Sequence, residues 1–66
     1  MYKVISLTKR DVYTYLFESR EDADESYKKI ELLVAKGERL SVMLFFIVES
    51  TKSVILLNHS NVSICL

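Results

Sequence analysis

Residues 19–37 read SREDADESYKKIELLVAKG, a stretch that predicts one helix with both of its ends marked. Ser19 offers a hydroxyl to the free amides of the first turn, and acidic residues follow it at the positive end of the helix dipole. Lys36 and Gly37, the only glycine in the chain, supply the stop. The segments on both sides of this helix favour strands, so the helix sets the order of the other elements.

The segments around the helix predict a set of strands. Tyr2 to Leu7 and Val12 to Phe17 are rich in residues that favour strands, and the polar residues Thr8 to Asp11 between them indicate a hairpin. Beyond the helix, Leu40 to Val48 is apolar at both alternating positions, which is typical of a strand that requires cover on both faces.

The last part of the chain predicts two more strands and two turns. The strands are Val54 to Leu57 and Val62 to Leu66, and the turns are Ser50 to Ser53 and Asn58 to Asn61. Along the helix, one apolar stripe extends over about 40° of its circumference. The stripe consists of four residues, Ala23, Tyr27, Ile30 and Val34, and Leu33 extends it. We therefore predict one small domain, residues 1–66, of the α+β class: a two-layer ββαββ(β) fold with a mostly antiparallel sheet and one helix packed on one face.

One helix covers one face of a sheet, whereas these strands carry apolar residues on both faces. We expect the open face to be an interface, lined by part of one aromatic and aliphatic set. That set is Tyr13, Tyr15, Phe17, Phe45 and Ile47. Leu32 lies on the outer face of the predicted helix, among charged residues, and is a second place where a partner would make contact.

The length of the chain favours self-association. A domain of 66 residues leaves about 40% of its unfolded surface exposed after folding, so its margin of stability is thin. Cys65 is the only cysteine, which excludes an intramolecular disulfide, and half of the residues are apolar. We expect a homo-oligomer, most simply a dimer, that binds itself, another protein or both.

Charge and hydropathy bear on location and on partners. The chain has nine basic and nine acidic residues, so no net field attracts nucleic acid or an anionic membrane. The run Leu40 to Val48 is shorter than the roughly 20 residues that a membrane-spanning helix needs. No signal region is recognisable near Met1, and we expect a cytoplasmic protein. Such a short free-standing domain is typical of a virus or a mobile element.

No residue set predicts catalysis, a metal site or a cofactor. Cys65 and the single histidine, His59, are the only pair for thiol catalysis, and a separation of six residues across a predicted turn does not bring them together. The acids at the start of the helix complement its dipole and do not follow a calcium-loop spacing. We therefore expect a protein that is not an enzyme, with no catalytic residue, no metal and no cofactor.

These observations favour a small protein-binding module with a regulatory or inhibitory role, acting as a homodimer through an aromatic sheet face or a strand edge. The alternative is a nucleic-acid-binding regulator that uses Lys9, Arg10 and the strand tyrosines, since aromatic residues that alternate on a strand stack on bases. A further possibility is that the acids around the helix start imitate nucleic acid for a basic partner. These acids are Glu18, Glu21, Asp22, Asp24 and Glu25.

Overall fold

The computed structural model describes residues 1–62. Four strands and one helix follow one another in the order ββαββ. The elements are β1 (Tyr2–Leu7), β2 (Val12–Phe17), α1 (Arg20–Ala35), β3 (Ser41–Val48) and β4 (Ser53–Asn61). All pairs are antiparallel in one sheet of order β2-β1-β3-β4, and α1 packs on that sheet. The predicted α+β class and ββαββ order are confirmed.

The ends of α1 are formed by the residues that predict them. Ser19 accepts a hydrogen bond from the amide of Asp22 at 3.5 Å. At the other end, the amide of Gly37 donates to the carbonyl of Val34, and the amide of Glu38 donates to the carbonyl of Leu33. These two hydrogen bonds form a Schellman motif, which ends a helix where the residue after the C-cap is left-handed. Gly37 takes a φ of +82°, which a glycine adopts without steric cost.

The core lies between α1 and the two central strands. The predicted helix stripe is confirmed, since its four central residues are buried and Leu33, which extends it, is half-buried. They pack with three apolar residues of the sheet: Val4, Val42 and Leu44. Because β1 and β3 are the middle strands, the helix covers the centre of the sheet. The edge strands β2 and β4 lie mostly beyond the area that the helix covers.

The outer face of α1 carries ion pairs at four-residue spacing. Glu25 pairs with Lys29 at 3.3 Å, and Asp24 pairs with Arg20 at 3.4 Å. Both pairs are well exposed, so each contributes at most a few tenths of a kcal/mol.

The second half of the chain differs from its predicted strands. The turn predicted at Asn58 to Asn61 is wrong, because β4 continues without a break to Asn61. A register shift opposite Leu44 and Phe45 gives β4 one additional residue, Leu57, so the chain bends at a β-bulge instead of turning. The fifth strand predicted at Val62 to Leu66 lies, beyond Val62, outside the described residues.

Candidate protein-protein interface

The register of the strands assigns every strand residue to one of two sheet faces. Val4 is completely buried under α1, and it lies opposite Tyr15 on one side and Leu44 on the other. Since side chains that are directly opposite point to the same face, Tyr15 and Leu44 are on the helix side. Their sequence neighbours Leu16 and Phe45 therefore project from the other side, which we call the open face.

The structure divides the predicted interface set between these two faces. Phe45 and Ile47 are on the open face, as expected for residues that α1 does not cover. Tyr13, Tyr15 and Phe17 are on the helix side, where Tyr15 and Phe17 pack against the core. Tyr15 and Phe17 thus extend the core, Tyr13 is exposed on the same side, and none of the three lines the open face.

The open face carries a continuous apolar band that crosses the sheet diagonally. At one corner Val12 lies opposite Leu7, and in the middle Ile5 lies opposite Met43. At the far corner the band broadens over β3 and β4 with two cross-strand pairs: Phe45 with Leu56 and Ile47 with Val54. Val12 is 66% exposed and Val54 is 58% exposed, so both ends of the band are open to solvent.

Polar residues flank the band on both sides. Thr14 and Lys3 border it on one side, and His59 and Asn61 on the other. Among the described strand residues, Lys3 is the only charged one on this face, and it lies between Leu16 and Phe45 in the register. An apolar centre with a polar border is the usual composition of a protein interface.

The sequence interpretation missed most of this band, although one signal was available. Val12 and Leu16 alternate with the aromatic residues of β2, and Ile5 and Leu7 alternate with Val4 in β1. Both alternating sets of these strands are apolar, so periodicity alone does not say which set faces the helix. The buried position of Val4 distinguishes them.

Leu32 lies on the outer face of α1 and is 63% exposed. Lys28 and Lys36, four residues before and after it, occupy the same helix surface and are exposed. Leu32 is therefore an isolated apolar residue and is not continuous with the band on the open face.

A groove between the β1–β2 turn and the α1–β3 loop brings three cations together. Lys9 and Arg10 line one wall and Arg39 the other. The Arg39 guanidinium stacks on the Tyr13 ring at 4.3 Å from its centroid and donates to the Ser6 hydroxyl at 3.4 Å. Two acids line the same groove, Asp11 and Glu38, so its charge is mixed.

A polar network ties β4 to α1 at the other end of the helix side. The Ser60 hydroxyl donates to the Glu31 carboxylate at 2.8 Å, so the Tyr27 hydroxyl, 2.9 Å from Ser60, is the donor in their bond. Burial raises the pKa of Tyr27 because the charged phenolate loses its hydration, and the Glu31 carboxylate adds to this shift. The network holds the end of β4 against the helix with its hydrogen bonds satisfied.

Within residues 1–62, no three side chains of histidine, cysteine, aspartate or glutamate are grouped as metal ligands. No helix in this part of the chain is both long enough and apolar enough to cross a membrane. Comparison with family models, with curated proteins and with solved structures gives no match for this chain.

Proposed function

We propose that this chain is a non-enzymatic protein-binding module with a regulatory or inhibitory role, which works as a homodimer through its open face. The observation that carries the proposal is the diagonal apolar band from Val12 to Val54, which α1 leaves uncovered. Monomeric proteins rarely expose a continuous apolar patch larger than a few hundred Å² unless it contacts something.

The size of the open face supports a second copy as its occupant. At a strand spacing of about 4.8 Å and a rise of about 3.4 Å per residue, four strands of six residues cover about 400 Å² in projection. Side chains stand out of that plane, so the accessible area exceeds this projection; a standard interface buries roughly 800 Å² on each partner. Two open faces packed about 10 Å apart would form a sheet sandwich with the helices outside.

The charge on the open face is compatible with such a sandwich. Lys3 carries the only charge, and its long methylene chain lets the ammonium group reach the border while the stem covers apolar neighbours. A face with a single charge near its border has little repulsion to overcome when it meets a copy of itself. The same face would attract a strongly charged partner less, since it offers little complementary charge.

A pair of matched substitutions tests this proposal. Phe45→Lys places a charge in the apolar band, and Leu32→Lys makes the same kind of change on the outer face of α1. We expect sedimentation equilibrium at micromolar concentration to show a dimer for the unmodified chain and for Leu32→Lys, and a monomer for Phe45→Lys. Circular dichroism of both variants controls for folding.

Each other outcome overturns the proposal. A folded unmodified chain that is monomeric at all concentrations removes the dimer. If Leu32→Lys dissociates the dimer and Phe45→Lys does not, the interface is on α1. A dimer that withstands both changes moves it away from both surfaces.

Nucleic-acid binding stays the second candidate, and one observation favours it. In the folded chain, Arg39 lines the same groove as Lys9 and Arg10, although Arg39 is far from them in sequence. Against it, one ring face of Tyr13 is occupied by Arg39 and Tyr15 packs on the core, so the tyrosines offer a poor stacking platform.

A salt series separates the two candidates. Fluorescence anisotropy of a labelled single-stranded oligonucleotide would show binding that weakens with salt and is lost in Arg39→Gln if the groove binds nucleic acid. Lys52→Gln, in the turn between β3 and β4 at the opposite end of the sheet, is the matched control. The protein-binding proposal expects no binding for any of these chains.

A further inference from the structure

The β4 edge combines exposed apolar side chains with an unpaired backbone. Among the described residues, β4 is the last strand of the sheet, so its outer edge pairs with nothing. Its nine residues contain no lysine, arginine, aspartate or glutamate. Four consecutive apolar residues are exposed on it: Val54, Ile55, Leu56 and Leu57. Natural edge strands usually carry charges or prolines that prevent pairing, and β4 has neither.

A contact on the open face does not account for this exposure. Val54 and Leu56 are on the open face, but Ile55 lies opposite Phe46 on the helix side. The helix packs over β1 and β3 and leaves Ile55 48% exposed. Only a neighbour placed beside β4 contacts both sides of the strand at once.

The direction of the backbone amides defines what that neighbour would meet. The amide of Ile47 donates to the carbonyl of Met1, which makes Tyr2 and Phe46 a pair without mutual hydrogen bonds. The backbone amide and carbonyl of Phe46 therefore point toward β4, where they form hydrogen bonds with the carbonyl and amide of Ile55. Because the direction alternates along a strand, the amides and carbonyls of Val54 and Leu56 point away from β3. Within residues 1–62, the outer edge therefore presents two residues whose backbone donors and acceptors have no partner, before the bulge at Leu57.

We infer that β4 pairs antiparallel with β4 of a second copy around Ile55, as a contact between copies in addition to the open face. With a two-fold axis at Ile55, Val54 of each copy faces Leu56 of the other and exchanges backbone hydrogen bonds with it. The two Ile55 side chains then meet on the helix side. Like residues meet like residues and no charge is buried, which makes this strand its own complement.

The other edge of the sheet is less suited to such pairing. Tyr15 and Phe17 of β2 pack against the core, and the strand is bounded by Arg10 and Asp11 at one end and Glu18 at the other. On β4, the bulge at Leu57 ends the regular ladder, so pairing about Ile55 is confined to Val54 through Leu56. The inferred contact is consequently short and adds to the open-face dimer without replacing it.

This inference rests on the proposed self-association, and Ile55→Lys tests it separately. The substitution charges the β4 edge on the helix side and leaves the open face unaltered. In sedimentation equilibrium at rising concentration, we expect the unmodified chain to pass beyond the dimer and Ile55→Lys to stop at the dimer. Leu32→Lys, the matched control, should behave like the unmodified chain.

Amide hydrogen exchange measured by NMR locates the contact. We expect the outward amides of Val54 and Leu56 to exchange at least about tenfold more slowly in the unmodified chain than in Ile55→Lys at equal concentration. The amide of Ile55 is bonded within the chain, so its protection in both proteins reports that the substitution leaves β4 folded.

The outcomes separate this inference from the proposed function. A dimer that does not grow with concentration, with rapid exchange at Val54 and Leu56, overturns the β4 contact and leaves the open-face dimer standing. Slow exchange at these amides together with a dimer that survives Phe45→Lys supports the β4 contact and overturns the open face. Rapid exchange at both amides in a protein that stays monomeric overturns both.

Discussion

Tyr15 of β2 lies directly opposite Val4 of β1, and Val4 is completely buried beneath α1. The tyrosine ring is consequently part of the support of the core, although it comes from an edge strand. Its neighbour Leu16 projects from the opposite face and is 61% exposed. Adjacent residues of the same strand thus serve folding and surface contact respectively.

Tyr15→Ala and Leu16→Ala should separate these two roles. Removing the half-buried ring of Tyr15 should lower the free energy of unfolding by about 2 kcal/mol, because packing against the core is lost. Leu16→Ala should cost under about 0.5 kcal/mol, as is usual for an exposed position. Urea unfolding followed by circular dichroism at one low protein concentration checks both. Equal losses would contradict the assigned faces.

Two neighbouring buried serines should respond oppositely to loss of the hydroxyl. The Ser6 hydroxyl donates to the carbonyl of Ser41 at 3.1 Å and accepts from Arg39, so Ser6→Ala should destabilise the protein by about 1 kcal/mol. The Ser41 hydroxyl has no hydrogen-bond partner among the described residues, so Ser41→Ala should be neutral or stabilising. Thermal unfolding of the two variants, compared side by side, measures this difference in sign.

Two residues with positive φ should also give opposite effects. Gly37 has a φ of +82° and open space where a side chain would be, so Gly37→Ala should cost about 1 kcal/mol through backbone strain alone. Lys52 has a φ of +61° in the β3–β4 turn, so Lys52→Gly should remove strain and be stabilising by up to about 0.5 kcal/mol after the entropy cost of glycine. Denaturant midpoints report both changes. A destabilised Lys52→Gly would show that the turn holds Lys52 by contacts outside the backbone.

Tyr27 should make the protein sensitive to alkaline pH. Burial raises its pKa in the folded state above the value of about 10 in the unfolded chain, so folding favours the protonated phenol. Its contribution to stability is complete below about pH 10 and is lost as the pH rises through the folded-state pKa. Urea midpoints measured from pH 8 to 11 should fall more steeply for the unmodified chain than for Tyr27→Phe. Parallel curves for the two proteins would contradict this role.

Lys3 should limit the strength of the open-face dimer. It lies between Leu16 and Phe45, so dimerisation requires its charge to reach the border or lose hydration. Lys3→Leu removes this cost and widens the apolar band, which should tighten the dimer about tenfold, or about 1.4 kcal/mol. Sedimentation equilibrium over a dilution series gives the dissociation constant. An unchanged constant would place Lys3 outside the interface.

Local features of the chain were predictable from sequence. The caps at Ser19 and Gly37 act on hydrogen bonds within a few residues, and the stripe of α1 follows from a period that one segment sets by itself. The hairpin of β1 and β2 also follows from adjacent segments. Asn58 to Asn61 misled the interpretation, because residues that favour turns continue a strand when β3 supplies a partner along their whole length.

The presence of an uncovered apolar sheet face was predictable from sequence, but the residues that line it were not. The surplus of apolar strand residues over what one helix covers indicated an open face, and Phe45 and Ile47 lie on that face. Two sets of contacts join segments that are far apart in sequence and that no local pattern relates. They are the stacking of Arg39 on Tyr13 and the hydrogen bonds from Tyr27 through Ser60 to Glu31. Such contacts depend on register and on the path of the loops.

The sequence by itself determined one helix with defined ends, the strands on either side of it and an excess of apolar surface, because capping and periodicity act over a few residues. Only the tertiary structure decided which side of each strand faces solvent. Both alternating sets of β2 and β3 are apolar, so either assignment satisfies the local pattern. Burial of Val4 under α1, carried across the register to Tyr15 and Leu44, selects one of them and leaves the band from Val12 to Val54 uncovered.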